Sequence, residues 1–187
     1  MPAFNNITDV GLTGGSPRYS SDDLRSLWGI TAPVEKTILL TFGGLGLQQI
    51  PYDNLARFPD WQFIIFDQSA PDLPNLVKIN DHKYRPVDFM PICGRVVSKP
   101  GYSTFSEATI LGLPIVTIPR EDFAEATFIL EGITNYNQHQ IITPSEFFQG
   151  TWDFLHELPQ IPKISQPIAK DGNEAIANAV LNYLQTK

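Results

Sequence analysis

The chain has 187 residues, 42% of them hydrophobic, and its 13 Lys and Arg against 20 Asp and Glu give a formal net charge of −7. That is enough apolar residue for one globular domain, or one domain with an extension. The acidic balance repels a nucleic-acid backbone and no apolar run approaches the roughly 20 residues that span a bilayer, so neither nucleic acid nor a transmembrane segment is expected.

In chain order, residues 1–36 read as a lead-in or linker: a Gly-rich stretch through Thr13-Gly14-Gly15-Ser16-Pro17, then a short helix capped by Ser20-Ser21-Asp22-Asp23. Residues 37–187 read as the domain proper. Thr37–Phe42 is an apolar, β-branched strand ended by Gly43-Gly44-Leu45-Gly46, and Tyr52–Phe58 is a short helix. Strands are expected at Trp61–Phe66, Leu76–Ile79 and Arg95–Ser98, with a short helix at Pro86–Ile92. Tyr102–Gly112 is a helix, Pro114–Ile118 a strand, Asp122 to about Ile133 a longer helix and Gln140–Ile142 a last strand. Pro144–Leu158 reads as one helix, and Asn173–Leu184 as an amphipathic helix with Ile176, Ala177, Val180, Leu181 and Leu184 on one face. Met1–Val10 has neither basic residues nor a long apolar segment, so no signal peptide and a cytoplasmic location are expected. Cys93 is the single cysteine, and His82, His139 and His156 form no ligand spacing, so neither a disulfide nor a metal site is expected.

Apolar strands that alternate with helices indicate a parallel sheet covered on both faces. The predicted fold class is α/β: a doubly wound, Rossmann-like parallel sheet of about six strands. Ligands of such sheets bind outside the carboxyl ends of the strands, where strand order reverses. Three loops leave strand ends with suitable chemistry and are expected to face one crevice: Gly43-Gly44-Leu45-Gly46, Lys99-Pro100-Gly101-Tyr102-Ser103-Thr104 and Pro119-Arg120-Glu121-Asp122.

The second loop is the most informative. A helix starting just after Gly101 aims free amides and the positive end of its dipole at an anion, and Glu107, one turn inside, is placed to accept from a sugar hydroxyl. The same residues also spell a capping box, Thr104 covering one amide and Glu107 reaching back to another, with no ligand involved. A dinucleotide site is a weaker rival: Gly44-Leu45-Gly46 follows a strand and Asp67 ends the next, but the third glycine is missing and Gln49 and Pro51 stand where the helix should start. A GxxxxGK[ST] phosphate loop is absent.

Residues 37–133 resemble the C-terminal, donor-binding half of GT-B glycosyltransferases, in particular family 28, which includes the N-acetylglucosaminyltransferase of peptidoglycan synthesis. Phe42-Gly43-Gly44-Leu45-Gly46 and Ser98-Lys99-Pro100-Gly101-Tyr102-Ser103-Thr104-Phe105-Ser106-Glu107-Ala108 carry the resemblance. It implies that Gly43 and Gly44 lie near a donor diphosphate, that the amides around Tyr102, Ser103 and Thr104 hold its oxygens, and that Glu107 holds the ribose hydroxyls. A second resemblance, over roughly residues 9–185, is to the glycosyltransferase-like domain at the front of L-arabinokinases and related bacterial proteins. Phe42-Gly43-Gly44, Lys99-Pro100-Gly101-Tyr102, Pro119-Arg120 followed by Phe123-Ala124-Glu125, and Phe148-Gln149-Gly150-Thr151-Trp152 carry it. Sugar phosphorylation in arabinokinases belongs to a separate kinase domain, so kinase activity is not expected.

Under this resemblance Arg120 and Glu125 touch the donor sugar or its phosphates; by their own spacing they equally form, with Glu121 and Asp122, a solvated helix start. Lys99 neutralises a phosphate or covers the sheet edge. Tyr84 and Arg85 stand where family members wrap backbone around the base, and uracil is implied by the family alone. The peptidoglycan enzyme has glutamines where this chain has Ala124 and Glu125, so the sugar does not transfer. The implied ligand is a nucleotide sugar, with no cofactor required, and no catalytic residue is assigned. The general base of such enzymes usually lies in an N-terminal acceptor-binding domain, for which residues 1–36 leave no room. That half is expected as another domain or a partner subunit. The alternative is a non-catalytic nucleotide- or protein-binding module with the same fold.

Overall fold

A computed structural model describes residues 7–42, 50–120 and 124–185. Its centre is a six-stranded, all-parallel sheet in the order β3-β2-β1-β4-β5-β6. The strands are β1 (Thr37–Thr41), β2 (Gln62–Ile65), β3 (Leu76–Lys78), β4 (Arg95–Ser98), β5 (Ile115–Thr117) and β6 (His139–Ile141). Most are built on short runs of β-branched and aliphatic residues, such as Ile38–Leu40, Val96–Val97 and Ile115–Val116, that end at polar, Gly or Pro positions. Both faces are buried. Leu39, Ile64, Val96 and Ile115 point to one side, and Ile38, Leu40, Phe63, Ile65, Val97 and Val116 to the other, which is why the strands lack polar alternation.

The first face is covered by helices: α1 (Ser21–Trp28), α2 (Pro86–Phe89), α3 (Tyr102–Leu111) and α4 (Ala126–Tyr136), whose Leu24, Val87, Phe89, Phe105, Ala108, Ile129 and Ile133 join that core. The lead-in belongs to the same layer through Leu12 and Ile30. Helix α1 begins as its sequence implies, with the Ser20 hydroxyl accepting from the Asp23 amide at 3.1 Å. It ends at Gly29, whose φ of 63° is the left-handed conformation that glycine adopts without strain.

The second face departs from expectation. The short helix expected at Tyr52–Phe58 is a 3₁₀ helix over Tyr52–Arg57. The segment read as one helix from Pro144 to Leu158 is two short pieces, α5 (Pro144–Phe148) and a 3₁₀ turn at Asp153–His156. Two features break it. A Cβ at Gly150 would lie 2.4 Å from the Glu146 carbonyl oxygen, and Trp152 takes a left-handed φ of 62° that turns its ring into the core. There it stacks on Phe147 with centroids 5.1 Å apart and donates Nε1–H to the Phe147 carbonyl at 2.7 Å. Aromatic packing in place of helical cylinders therefore closes this face.

Helix α4 runs three residues further than expected, to Tyr136; the proposed start at Asp122 lies outside the described residues. The predicted Pro86–Ile92 helix is α2 followed by a 3₁₀ turn at Met90–Ile92. The last helix, α6 (Gly172–Gln185), extends one residue beyond the predicted Asn173–Leu184 at each end, but among its described residues only Gly172 is buried. No helix among the described residues is long and apolar enough to cross a membrane.

Candidate functional site at the carboxyl ends of β1, β4 and β5

The strand order fixes where a ligand would sit. From β1 the chain winds outward through β2 and β3, then returns to β4 on the other side of β1. The direction of winding reverses between β1 and β4, and a crevice opens at such a point between the loops leaving the two strands. Thr41, Ser98 and Thr117, the last residues of β1, β4 and β5, stand in one row of the sheet register. The loops following them therefore leave one edge side by side, as the sequence implies. Gly43 and Gly44, in the first, lie outside the described residues. The Thr117 hydroxyl is buried at that edge and has no hydrogen-bond partner among the described residues.

At the second loop, Gly101 is the residue preceding α3 and offers no side chain to cap it. The first intrahelical bond is donated by Phe105 to the Gly101 carbonyl at 3.0 Å. The amides of Tyr102, Ser103 and Thr104 thus begin the helix without an intrahelical acceptor. The capping box spelled by Thr104 and Glu107 does not form: Thr104 is inside the helix, not at its cap. The same Thr-x-x-Glu spelling occurs at Thr143 and Glu146, and there the box is real. The Glu146 amide donates to the Thr143 hydroxyl at 3.1 Å, and the Thr143 amide to the Glu146 carboxylate at 2.7 Å.

Instead, Glu107 reaches the lead-in. The Gly15 amide donates to its Oε1 at 2.9 Å. Burial raises the Glu107 pKa above the ordinary carboxylate value, a shift opposed by the Gly15 bond and the nearby Arg85 charge and reinforced by Asp88. Around that contact the Thr13–Ser16 segment forms a strap over α3. The Thr13 amide donates to the Tyr102 hydroxyl at 3.1 Å, and Ser106 donates to the Thr13 carbonyl. Gly14 is clasped by Asn173 at the start of α6, which accepts from the Gly14 amide at 3.3 Å and donates to its carbonyl at 2.7 Å. Arg85 donates to the Ser16 carbonyl at 2.8 Å. Beyond the strap, Arg18 pairs with the fully buried Asp88 carboxylate at 2.7 Å.

Three residues that the sequence assigns to a ligand, Tyr102, Arg85 and Glu107, are thus gathered around one strap. By sequence pattern alone the strap is a Gly-rich lead-in. Its legible signal is the Gly14-Gly15 pair, since a Cβ on Gly15 would lie 2.8 Å from Glu107 Oε1. Ser103 is exposed, and Thr104 and Lys99 are half-buried at the same loop. Arg120 is half-buried in the loop after β5, and Glu125 is exposed immediately before α4. Tyr84 is buried against Tyr19, Trp28 and Phe89, with ring centroids 4.9, 5.6 and 5.9 Å away. It packs in the core beside Arg85.

The strand order is that of a doubly wound, Rossmann-like sheet, and solved glycosyltransferases superpose on it as one half of a GT-B fold. The glycosyltransferase VinC, solved in complex with DTDP, superposes on 75% of this chain with a TM-score of 0.51 at 17% identity, using 37% of its own length. The spinosyn rhamnosyltransferase SpnG, complexed with spinosyn aglycone, covers 81% of this chain and 42% of its own, with a TM-score of 0.51 at 16% identity. No family model matches the sequence.

In sequence the chain is similar to an L-arabinokinase of Arabidopsis thaliana, 28% identical over 157 residues that make up 81% of this chain and 14% of that protein. The chain therefore spans less than half the length of each of these three proteins.

Proposed function

We infer that this chain is the nucleotide-sugar-binding part of a glycosyltransferase-like protein, holding the donor, a UDP-sugar, for hexosyl transfer. The observation that carries the reading is the start of α3, whose Tyr102, Ser103 and Thr104 amides open without a side-chain cap beside the reversal point of the sheet. A diphosphate is the ligand such amides suit, because they are fixed donors at the positive end of a helix dipole. Glu107, on the same helix, supplies a carboxylate for the ribose hydroxyls, and Lys99 and Arg120 supply cationic charge around the phosphates. That a structural neighbour was solved with DTDP supports a nucleoside diphosphate. The site contributes orientation and charge stabilisation of the leaving diphosphate. The acceptor half and the general base lie in another domain or a partner subunit.

Calorimetric titration of the protein with UDP, UMP and uridine tests this. The expected order of affinity is UDP, then UMP, then uridine, with Glu107→Ala weakening all three by about tenfold, the loss of one charge-assisted hydrogen bond. No binding at millimolar UDP, or equal binding of UDP and uridine, removes the donor-site reading. A second reading, a protein-binding module that keeps the fold without turnover, is favoured by one observation: Ile176, Val180, Leu181 and Leu184 of α6 are 48–62% exposed. Failure of every nucleotide to bind would leave it standing.

A further inference from the structure

We propose that the Thr13–Ser16 strap is a working part of the nucleotide site and that Gly15 is its positioning residue: by holding one oxygen of Glu107, it presents the other to the ribose diol. The inference rests on the donor-site reading above and goes beyond it, since that reading gives the lead-in no part in binding.

The geometry points this way for three reasons. First, Glu107 is a half-buried carboxylate on a helix face, and its one hydrogen bond among the described residues comes from the Gly15 amide at 2.9 Å. A carboxylate has about four acceptor positions, so Oε2 keeps its capacity for a hydroxyl pair. Second, the bond comes from main chain, which cannot change rotamer. The main chain is itself fixed on both sides: by Tyr102 and Ser106 of α3 at Thr13, by Asn173 at Gly14, and by Arg85 at Ser16. A flexible three-torsion side chain is thereby held in one orientation before any ligand arrives, which lowers the ordering cost of binding. Third, the fit leaves no space for a side chain at Gly15 unless Glu107 moves. A Cβ at Gly15 would stand 2.8 Å from Glu107 Oε1, 3.2 Å from Arg85 Nη1 and 3.3 Å from Val87 Cγ1. Alanine there displaces either the strap or the carboxylate, although φ at Gly15 is not in the left-handed region. Glycine is what lets the Gly15 amide approach Glu107 with the carboxylate in this orientation.

The readout is the discrimination between UDP and 2′-deoxy-UDP, because deleting one hydroxyl probes the diol contact and leaves base and diphosphate contacts in place. The wild-type protein is expected to bind UDP about tenfold more tightly than 2′-deoxy-UDP, with Glu107→Ala reducing that ratio to near one. Gly15→Ala is expected to reduce the ratio to near one as well, while 2′-deoxy-UDP binds within twofold of wild type. Asn173→Ala, which frees Gly14 without adding an atom beside Glu107, is expected to lower the ratio partway, and it decides the question if Gly15→Ala does not fold. An undiminished ratio in either folded variant, with Glu107→Ala still abolishing it, overturns the role of the strap and leaves the donor site intact. Equal binding of the two nucleotides by the wild-type protein removes the ribose contact and this inference with it.

Discussion

Glu107 and Asp88, both held by the lead-in, titrate in opposite directions. Burial raises the Glu107 pKa further than the Gly15 bond and Arg85 lower it. Its folded state holds the proton more tightly than the unfolded chain, so its contribution to stability is greatest below the ordinary carboxylate value and is lost as pH rises through the raised folded value. At neutral pH the charged form is therefore a cost, as functional residues often are. Glu107→Gln keeps an acceptor for Gly15 and removes the charge. Its thermal midpoint at pH 7 is expected to equal or exceed that of wild type, with the wild type gaining on the variant as pH falls toward 4; a lower midpoint for the variant at pH 7 would show the charge to be stabilising. For Asp88, burial also acts to raise the pKa, but hydrogen bonds from the Arg18 side chain and from the Arg85 and Arg18 amides outweigh it and leave the pKa lowered. Its contribution is complete above the ordinary carboxylate value and is lost as pH falls through the depressed folded one. Asp88→Asn at pH 7 is expected to cost about 1–2 kcal/mol in urea unfolding, because it weakens the hydrogen bonds that the buried carboxylate accepts from Arg18 and the Arg85 amide. The difference from wild type should shrink in acid, whereas a pH-independent cost would point to packing alone.

Among the elements, the sheet was legible and its second cover was not. Thr37–Thr41 is a block of β-branched and aliphatic residues and Arg95–Ser98 carries the pair Val96-Val97, and such runs between turn residues leave few alternatives to a buried parallel strand. The start of α3 was legible for a similar reason, since Pro100 and Gly101 together mark a helix boundary. The segment from Pro144 to Leu158 misleads because helix formers surround Gly150 and Trp152, and nothing local shows that Trp152 turns inward. The strap was illegible for a different reason. Gly15 meets Glu107 across 92 residues and Gly14 meets Asn173 across 159, so no local pattern reports the contact, and Gly-Gly spells a linker equally well. The aromatic cover yields a prediction of its own. Trp152→Ala removes a ring that is 1% exposed and stacked on Phe147, and the expected loss is about 3–5 kcal/mol in chemical denaturation. Relief of the left-handed backbone returns none of that, because alanine at φ 62° is strained as well. A loss under about 1 kcal/mol would mean that Phe147 and Phe154 repack to fill the space.

On the scale of the whole molecule, α6 stands apart from the body it is attached to. Its start is pinned: the Leu12 amide donates to the Ala169 carbonyl at 2.8 Å, the Gly172 amide donates to the Leu12 carbonyl at 3.2 Å, and a Cβ on Gly172 would lie 2.1 Å from the Gly11 carbonyl oxygen. Asn173 then clasps the strap. Beyond that point no described side chain of the helix is fully buried, and Ile176, Val180, Leu181, Tyr183 and Leu184 are 48–62% exposed. An isolated helix of about this length is marginal in water, so the body stabilises its first turn and little more. Amide exchange should therefore be fast from about Val180 to Gln185, while the amides of β1 and β4 exchange only on global unfolding. Truncation after Glu174 tests the same division by equilibrium. It keeps Gly172 and Asn173, and hence the strap, and the unfolding free energy is expected to stay within about 0.5 kcal/mol of the intact chain. A larger loss, or slow exchange along the whole of α6, would mean that the apolar face is covered in solution and that the helix belongs to the folding unit. Fast exchange with an unchanged midpoint would leave Asn173 as the last position through which α6 bears on the strap and on Glu107.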